Sequence, residues 1–248
     1  MSDGIYSALS GAIAQQRSLD VTANNVANVG TVGYRADALA FREAVSREQG
    51  GPTPDSLRYV TISQLSTDET DGPLTQTGNP LDVALQGDGL FAVQTEDGVR
   101  YTRAGSFRMD PEGVFRTPGG HALLAADPAD PSQPELRVPP AAASIQIGSD
   151  GTVMADGEPV GRMRIERFGA GGLEKQGVTL YAPTGRGNPE PAAETQVLQG
   201  YLEGANVSPI EGMNELITAN RSFEAFQRVI QAFRQIDEKA AREVGRSG

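Results

Sequence analysis

The sequence predicts a mixed α and β chain whose N- and C-terminal helices form an antiparallel, coiled-coil-like domain bracketing a central antiparallel β domain. Three observations predict it. In the last forty residues Leu216, Ala219, Phe223, Phe226, Ile230, Phe233, Asp237, Ala240 and Val244 follow one another in alternating steps of three and four, a heptad seam that is apolar at all but one position. At the other end Ile5, Leu9, Ala12, Gln16, Leu19, Ala23 and Val26 repeat the pattern with one polar interruption. Between them the period changes to two, and Asp-Gly pairs punctuate short β-type runs as hairpin signals. Two helices joined by a long excursion return on each other antiparallel.

The first helix is expected from Ser2 or Asp3 to Asn28, ended by Gly30. Its close is unusual, because asparagine is a poor helix-interior residue, yet Asn24, Asn25 and Asn28 all stand there, off the apolar seam. They mark either a solvated helix end or amides that meet another surface, where a side-chain amide both donates and accepts. A tight turn, Val29 to Arg35, follows, then a short helical piece around Asp37–Glu48 and a Pro, Thr and Ser rich extended stretch with one weak alternating run, Leu57–Leu65. The domain division is therefore 1–30 with 208–248 as the helical domain, 31–79 as a linker region with a short helix and strands, and 80–207 as the β domain.

Within the β domain, strands are expected at Leu81–Leu85, Leu90–Gln94, Val99–Arg103, Phe107–Met109, Val114–Thr117, Ile145–Ile147, Thr152–Met154 and, as one run, Val160–Phe168. The Pro and Ala rich residues 125–143 and the stretch 184–193 read as loops. The long C-terminal helix has its start written in sequence: Ser208 as N-cap, Pro209 at the first helical position and Glu211 where a capping box places a carboxylate. Gly245 supplies a stop. At about 1.5 Å per residue this helix reaches roughly 55 Å, more than the width of a small domain, so another surface must cover its seam.

Composition narrows the function. The net charge is −11, carried by the middle of the chain, while both terminal segments are close to neutral. Neutral helices can pack against copies of themselves, and an acidic middle repels nucleic acid and anionic membrane. The chain has no cysteine, which excludes disulfides and thiolate metal sites. No run approaches membrane-spanning length, so no membrane insertion is expected, and the first twenty residues lack the apolar block of a cleaved secretory signal. His121, the single histidine, follows two glycines on an expected turn, and no serine sits in a G-x-S-x-G setting. Gly169-Ala170-Gly171-Gly172 lacks the Lys-Ser/Thr of a phosphate loop, and no Asp-Gly pair has the spacing of a calcium loop. No catalytic residue, metal ligand or cofactor site is expected.

The run Ala23-Asn24-Asn25-Val26-Ala27-Asn28-Val29-Gly30-Thr31-Val32-Gly33-Tyr34-Arg35 resembles the N-terminal signature of bacterial flagellar rod and hook proteins, ANN-(L/V)-AN-x-x-T-x-G-(F/Y)-(K/R), and it gives Asn24, Asn25, Asn28, Thr31, Gly33 and Tyr34 as family-motif residues. Gly30 departs from it, where a small polar residue is usual. Thr77–Leu85, Tyr101–Phe107, Asp110–Gly113 and Gln199–Val207 are similar to further family segments in order and spacing. The compact middle, Val160–Phe168 and the Phe223-Glu224-Ala225-Phe226 run resemble the proximal rod members most, the distal rod members next. The resemblance implies a non-enzymatic axial protein of the periplasm-spanning rod, exported by the flagellar type III apparatus without cleavage. It implies as partners other rod proteins, the distal one above all, and copies of the chain itself.

Two readings of different class stand on the residues. In the first the helices are polymerisation elements. Ile5, Leu9, Ala12, Leu19, Ala23 and Val26, with Leu216, Ala219, Phe223, Phe226, Ile230 and Phe233, then form assembly seams needed for assembly and not for folding of the middle; the terminal segments are expected to be poorly ordered alone and to gain helix on assembly, so that loss of Phe226 hardly changes a dilute monomer. In the second a β-rich glycan-binding or hydrolytic domain uses a helical hairpin to dimerise. A fragment of about residues 80–197 is expected to fold alone, because its hairpins hold a local core.

Overall fold

The computed structural model describes residues 2–47, 56–128 and 132–244. Glu48, the stretch from Gln49 to Asp55 and the expected stop at Gly245 lie outside them. Packing divides the chain into two units: Met1–Ala27, Ala36–Asp68 and Val207–Gly248 form one, and Asn28–Arg35 with Glu69–Asn206 form the other.

The first unit holds helix α1 (Ser2–Ala27), strands β1 (Asp37–Arg47) and β2 (Ser56–Thr67), and helix α2 (Pro209–Val244). α2 begins at its expected residue, and the Glu211 amide donates to Ser208 Oγ at 3.4 Å as an N-cap requires. The helices run antiparallel: the ring of Phe233 lies over Gly4, that of Phe226 over Gly11, and Val26 over Gly212. Among the described side chains of α2, Gly212 and Ala219 are buried and Leu216, Ser222, Phe223, Phe226, Ile230 and Phe233 half-buried, and Phe226 and Phe233 lie over α1 glycines, so the expected C-terminal seam is turned to α1. On α1 Gly4 and Gly11, each one residue before a seam position, lie under the rings of Phe233 and Phe226, while Val26 of the seam itself lies over Gly212. The two α1 glycines leave room for the rings; a Cβ on Gly11 would stand 2.6 Å from Phe226 Cε1. Phe226 is thus packed within its own chain, so the expectation that a dilute monomer is indifferent to its loss does not hold.

The short helix expected around Asp37–Glu48 is corrected to strand. β1 pairs antiparallel with β2 from Asp37↔Thr67 to Arg47↔Ser56, with a bulge at Ala40/Phe41. Ala, Leu, Glu and Arg favour helix, but Leu39, Phe41 and Val45 also alternate at period two, and an available partner strand decides between the two.

The second unit is β throughout. Its first strands are β3 (Leu74–Gln76), β4 (Val83–Gln86), β5 (Leu90–Thr95), β6 (Gly98–Thr102), β7 (Arg108–Met109), β8 (Phe115–Arg116) and β9 (Ala122–Leu123). There follow β10 (Ile145–Ile147), β11 (Thr152–Ala155), β12 (Glu158–Arg162), β13 (Ile165–Arg167), β14 (Leu173–Gln176), β15 (Leu180–Pro183), β16 (Glu190–Pro191), β17 (Gln196–Gln199) and β18 (Tyr201–Glu203). The main sheet runs β14-β15-β6-β5-β9-β8-β7, with β13 joining β5 and β16, and β10-β11-β12 form a separate antiparallel sheet. β17 returns to pair with β4 and β18 with β3, which closes the unit by laying its last residues on its first.

The single run expected at Val160–Phe168 is two strands in different sheets. Between them the Met163 amide donates to Gly151 O and the Arg164 amide to Leu124 O, so the chain steps from the small sheet to the main one. The expected turn at Asp156-Gly157 is a two-residue hairpin loop with φ of 52° and 87°, both in the left-handed region a tight hairpin needs. The core joins Val83, Leu85, Phe91, Val93, Phe107, Phe115, Leu123 and Val153, and it takes Leu136 and Val138 from the stretch read as a loop.

One charged residue lies at the centre of this unit. Arg103 is fully buried, and all five of its donors are used: Nε on Glu203, Nη1 on the carbonyls of Gly87 (2.8 Å) and Gly89, and Nη2 on Asp71 (2.9 Å) and Leu85 O (3.1 Å). Glu203, also buried, accepts from the Gly72 amide at 3.1 Å. Both carboxylate partners lie outside residues 80–197. Fragment 69–206 should therefore be more stable than fragment 80–197 by about 3 kcal/mol, and Glu203→Ala should lower the full chain's β-unit stability by a similar amount, because each leaves a buried guanidinium without its partner. Urea unfolding followed by circular dichroism measures both; equal midpoints for the two fragments would refute it.

Two exposed carboxylates tie loops. Asp150 accepts from the Thr152 hydroxyl (2.7 Å) and amide (3.0 Å), and Asp156 accepts from the amides of Ser144 (2.9 Å) and Ala143 (3.0 Å). The Thr152 donors hold Asp150, and the Ser144 and Ala143 amides hold Asp156, below the ordinary aspartate value. A depressed folded-state pKa means stabilisation that is present above the unfolded value and fades as pH falls through the folded one. Acidification below about pH 4 should loosen the β10–β12 sheet, and Asp156→Asn should flatten that dependence, as read from amide exchange in the sheet.

Candidate assembly site

The motif residues around the end of α1 are positioned by backbone hydrogen bonding. Asn25, near the end of the helix, donates from Nδ2 to Asp37 O and accepts at Oδ1 from the Asp37 amide, both at 2.9 Å. Its amide side chain does what a neighbouring strand would do and anchors the first residue of β1 against the helix. The surface that Asn25 meets lies in its own chain. Asn24 is exposed.

In the β unit Asn28 and Thr31 build the turn: the Thr31 amide donates to Asn28 O at 2.9 Å and the Thr31 hydroxyl to Asn28 Oδ1 at 3.3 Å. Gly33 has φ of 67°, a Cβ there would lie 2.3 Å from the Ala104 nitrogen, and its amide donates to Glu203 O at 2.8 Å. No other residue meets both the torsion and the approach. Tyr34 is buried, with the Lys175 ammonium 4.1 Å from its ring centroid while that ammonium donates to Arg35 O at 2.8 Å. Arg35 pairs with Asp71 at 3.2 Å, the same carboxylate that Arg103 holds. A side chain at Gly30 would meet nothing within 4 Å, so the departure there is sterically neutral.

Of the expected seam residues on α1, Ala12 is buried, Ile5, Leu19 and Val26 are half-buried, and Leu9 and Ala23 are exposed. Of those on α2, Ala219 is buried and Leu216, Phe223, Phe226, Ile230 and Phe233 are half-buried. The helix pair leaves apolar surface in solvent: Tyr6, Leu9 and Ile13 on α1, and Ile210, Met213, Ile217, Val229 and Ile236 on α2, each at least 44% exposed. A cavity of about 640 Å³ between α1, α2 and the base of the β1–β2 hairpin is lined by Gln15, Thr22, Asn25, Asp37, Asp68 and Glu215 among others.

His121 closes the Thr117–Gly120 turn through main-chain bonds, its amide on Thr117 Oγ1 and its carbonyl accepting from the Thr117 amide. Among the described residues no group of three His, Cys, Asp or Glu gathers in a geometry that could hold a metal, and no helix is long and apolar enough to cross a membrane. Sequence reasoning missed Arg103, Glu203 and Asp71. The pair is separated by a hundred residues, and no local pattern signals it.

Comparison with known proteins follows the same segments. Residues 5–35 match the family described as "Flagella basal body rod protein", residues 84–155 the "Flagellar hook protein FlgE/F/G D1 domain", and residues 198–243 the "Flagellar basal body rod FlgEFG protein C-terminal". The flagellar basal-body rod protein FlgF of Caulobacter vibrioides is 30% identical over 99% of both chains, and that of Mesorhizobium japonicum is 33% identical over 99% of both. The flagellar basal-body rod protein FlgG of Bacillus subtilis is 32% identical over 91% of this chain and 93% of its own. Three matched segments that coincide with α1 and its turn, the β core and the α2 arm, together with relatives aligned end to end, show that the chain belongs to the flagellar basal-body rod protein family.

Proposed function

We propose that the chain is a non-enzymatic structural subunit of the flagellar basal-body rod, of the proximal type, and that it works as part of the shaft that carries torque to hook and filament. The observation that carries this reading is the helix pair itself, whose bulky seam is closed on small residues within the chain while further apolar stripes stay in solvent. An antiparallel pair of this kind, packed in coiled-coil fashion, meets neighbours along several turns, and ridges interlocked over that length resist twisting better than one flat patch. Heterologous contacts that do not close generate helical tubes.

The assembly role falls to Ile5, Leu9, Ala12, Leu19, Ala23 and Val26 on α1 and to Leu216, Ala219, Phe223, Phe226, Ile230 and Phe233 on α2. Partners are other rod proteins, the distal rod protein above all, and copies of the chain. Passage through the flagellar export apparatus as an unfolded chain without cleavage belongs to the same reading, and a chain without cysteine carries no disulfide to impede it.

Deletion of the gene should abolish swimming and yield basal bodies without a complete rod, restored by the unaltered chain; cells that still build hooks and swim would overturn the reading. In the isolated protein Phe226→Ala should lower the stability of the helix pair by about 2 kcal/mol, below the figure for a fully buried ring because Phe226 is half-exposed. Helical circular dichroism should melt earlier while the β unit melts unchanged, and the same variant should enter basal bodies poorly.

A further inference from the structure

The backbone passes between the two units four times, after Ala27, Arg35, Asp68 and Asn206. Force that reaches the β unit through the chain enters it at these crossings. Three of them lie beside the buried guanidinium: Arg35 is the last residue before its crossing, Asp71 follows Asp68 by three residues, and Glu203 precedes Asn206 by three. Asp71 accepts from Arg35 at 3.2 Å and from Arg103 at 2.9 Å, and Glu203 pairs with Arg103. The main chain adds to this junction. The Gly33 amide donates to Glu203 O at 2.8 Å, the Gly72 amide to the Glu203 carboxylate at 3.1 Å, and the Gly204 amide to Pro73 O at 2.9 Å.

The same junction is fixed in the body of the β unit. Arg103 directly follows β6, and its Nη atoms hold Leu85 O on β4 and the carbonyls of Gly87 and Gly89 in the turn that leads to β5. Lys175 on β14 donates to Arg35 O at 2.8 Å. Strands from the edge of the main sheet to its middle are thereby tied to the crossings.

What lies next to the junction is weak by itself. β3 and β18 pair over three residues only, Gln76↔Tyr201, Thr75↔Leu202 and Leu74↔Glu203, and β3 is exposed along its whole length. The pair is antiparallel, so the chain enters at Leu74 and leaves at Glu203 at one and the same end of the ladder. Pulled from that end, a ladder parts one bond at a time, and the ionic junction closes that end.

We propose that Arg35, Asp71, Arg103 and Glu203 form a mechanical clasp, which takes load arriving at three crossings and hands it to β4, β6 and β14 before the β3–β18 ladder is stressed. Resting on the rod-subunit reading, that load is the torque carried by the shaft, and the clasp keeps the β unit folded while the rod turns. The chemistry suits the task. Charge-assisted hydrogen bonds are roughly twice as strong as neutral ones, and the fixed fork of a guanidinium lets one side chain hold two carboxylates and three carbonyls at once.

A clasp resists force in one direction, whereas a cluster that only adds stability does so in all. The absence of native cysteine lets pulling handles be placed at will. Val178, Glu112 and Glu224 are exposed, the first two in the β14–β15 and β7–β8 turns and the third on α2. In an optical trap the full chain with Val178→Cys and Glu224→Cys is loaded through the crossings, and the chain with Val178→Cys and Glu112→Cys is loaded across the main sheet alone. Opening of the β unit is recognised in both by the length it releases. Asp71→Ala should speed that opening under a fixed load at least tenfold in the first geometry and less than threefold in the second. The same factor in both geometries, or no acceleration in the first, would overturn the proposal.

Asp71 is half exposed, and Arg35→Gln is a milder variant that leaves Arg103 all five of its partners. It should show the same split between geometries, and it decides the matter by itself where Asp71→Ala does not fold. Both pulls use the isolated protein, so their failure would remove the clasp and leave the rod reading standing. A deletion strain that swims would instead remove the torque and leave the pulling result as it is.

Discussion

The β unit depends on one buried guanidinium. Arg103 sits at the end of β6 and reaches three carbonyls around the β4–β5 turn, one carboxylate from the stretch before β3 and one from β18. A charge taken from water is tolerable only when every donor is satisfied, and here all five are. The consequence is topological. Glu203 accepts from Arg103 and Gly72 through its carboxylate and from Gly33 through its carbonyl, so the turn after α1, the start of the β segment and its last strand converge on one residue. Segments far apart in sequence are thus locked by electrostatics that no apolar core of similar size would direct so specifically.

The helical unit is held by a different device. Phe233 and Phe226 on α2 meet Gly4 and Gly11 on α1, and Val26 on α1 meets Gly212 on α2, so the two backbones approach closely there and the larger side chains fill the space. Tyr6, Leu9 and Ile13 of α1 stay exposed, while Ile5, Leu19 and Val26 are half-buried. Asn25 completes the unit by taking the place of a strand partner for Asp37, which ties the hairpin base to the helix.

These two devices suit a subunit of a mechanical assembly. The β unit has a core and a buried ion pair. The helical unit keeps apolar residues exposed on both helices, and the family's shared segments map onto both: the asparagine-rich run and its turn, the β core and the C-terminal arm.

What the sequence determined by itself is local and periodic. The two helices with their N-cap, the α2 seam, the Asp-Gly hairpins and most core strands follow from spacing and turn chemistry, which act over a few residues, and the family motif was legible because it is long and contiguous. Tertiary structure decided the rest. Ala, Leu, Glu and Arg at 37–47 became a strand because β2 lay in reach, Val160–Phe168 split because Gly151 and Leu124 accept its amides in two different sheets, and Leu136 and Val138 entered the core from a segment with no period at all. Where Phe226 and Phe233 meet α1 the chain has Gly11 and Gly4, one residue off the apolar seam, because only a residue without a side chain leaves room for the rings. Arg103 and Glu203 show the limit most plainly: each lies in a segment that resembles the family, yet the pairing of two charges a hundred residues apart is written in neither window, and only the folded chain brings them together.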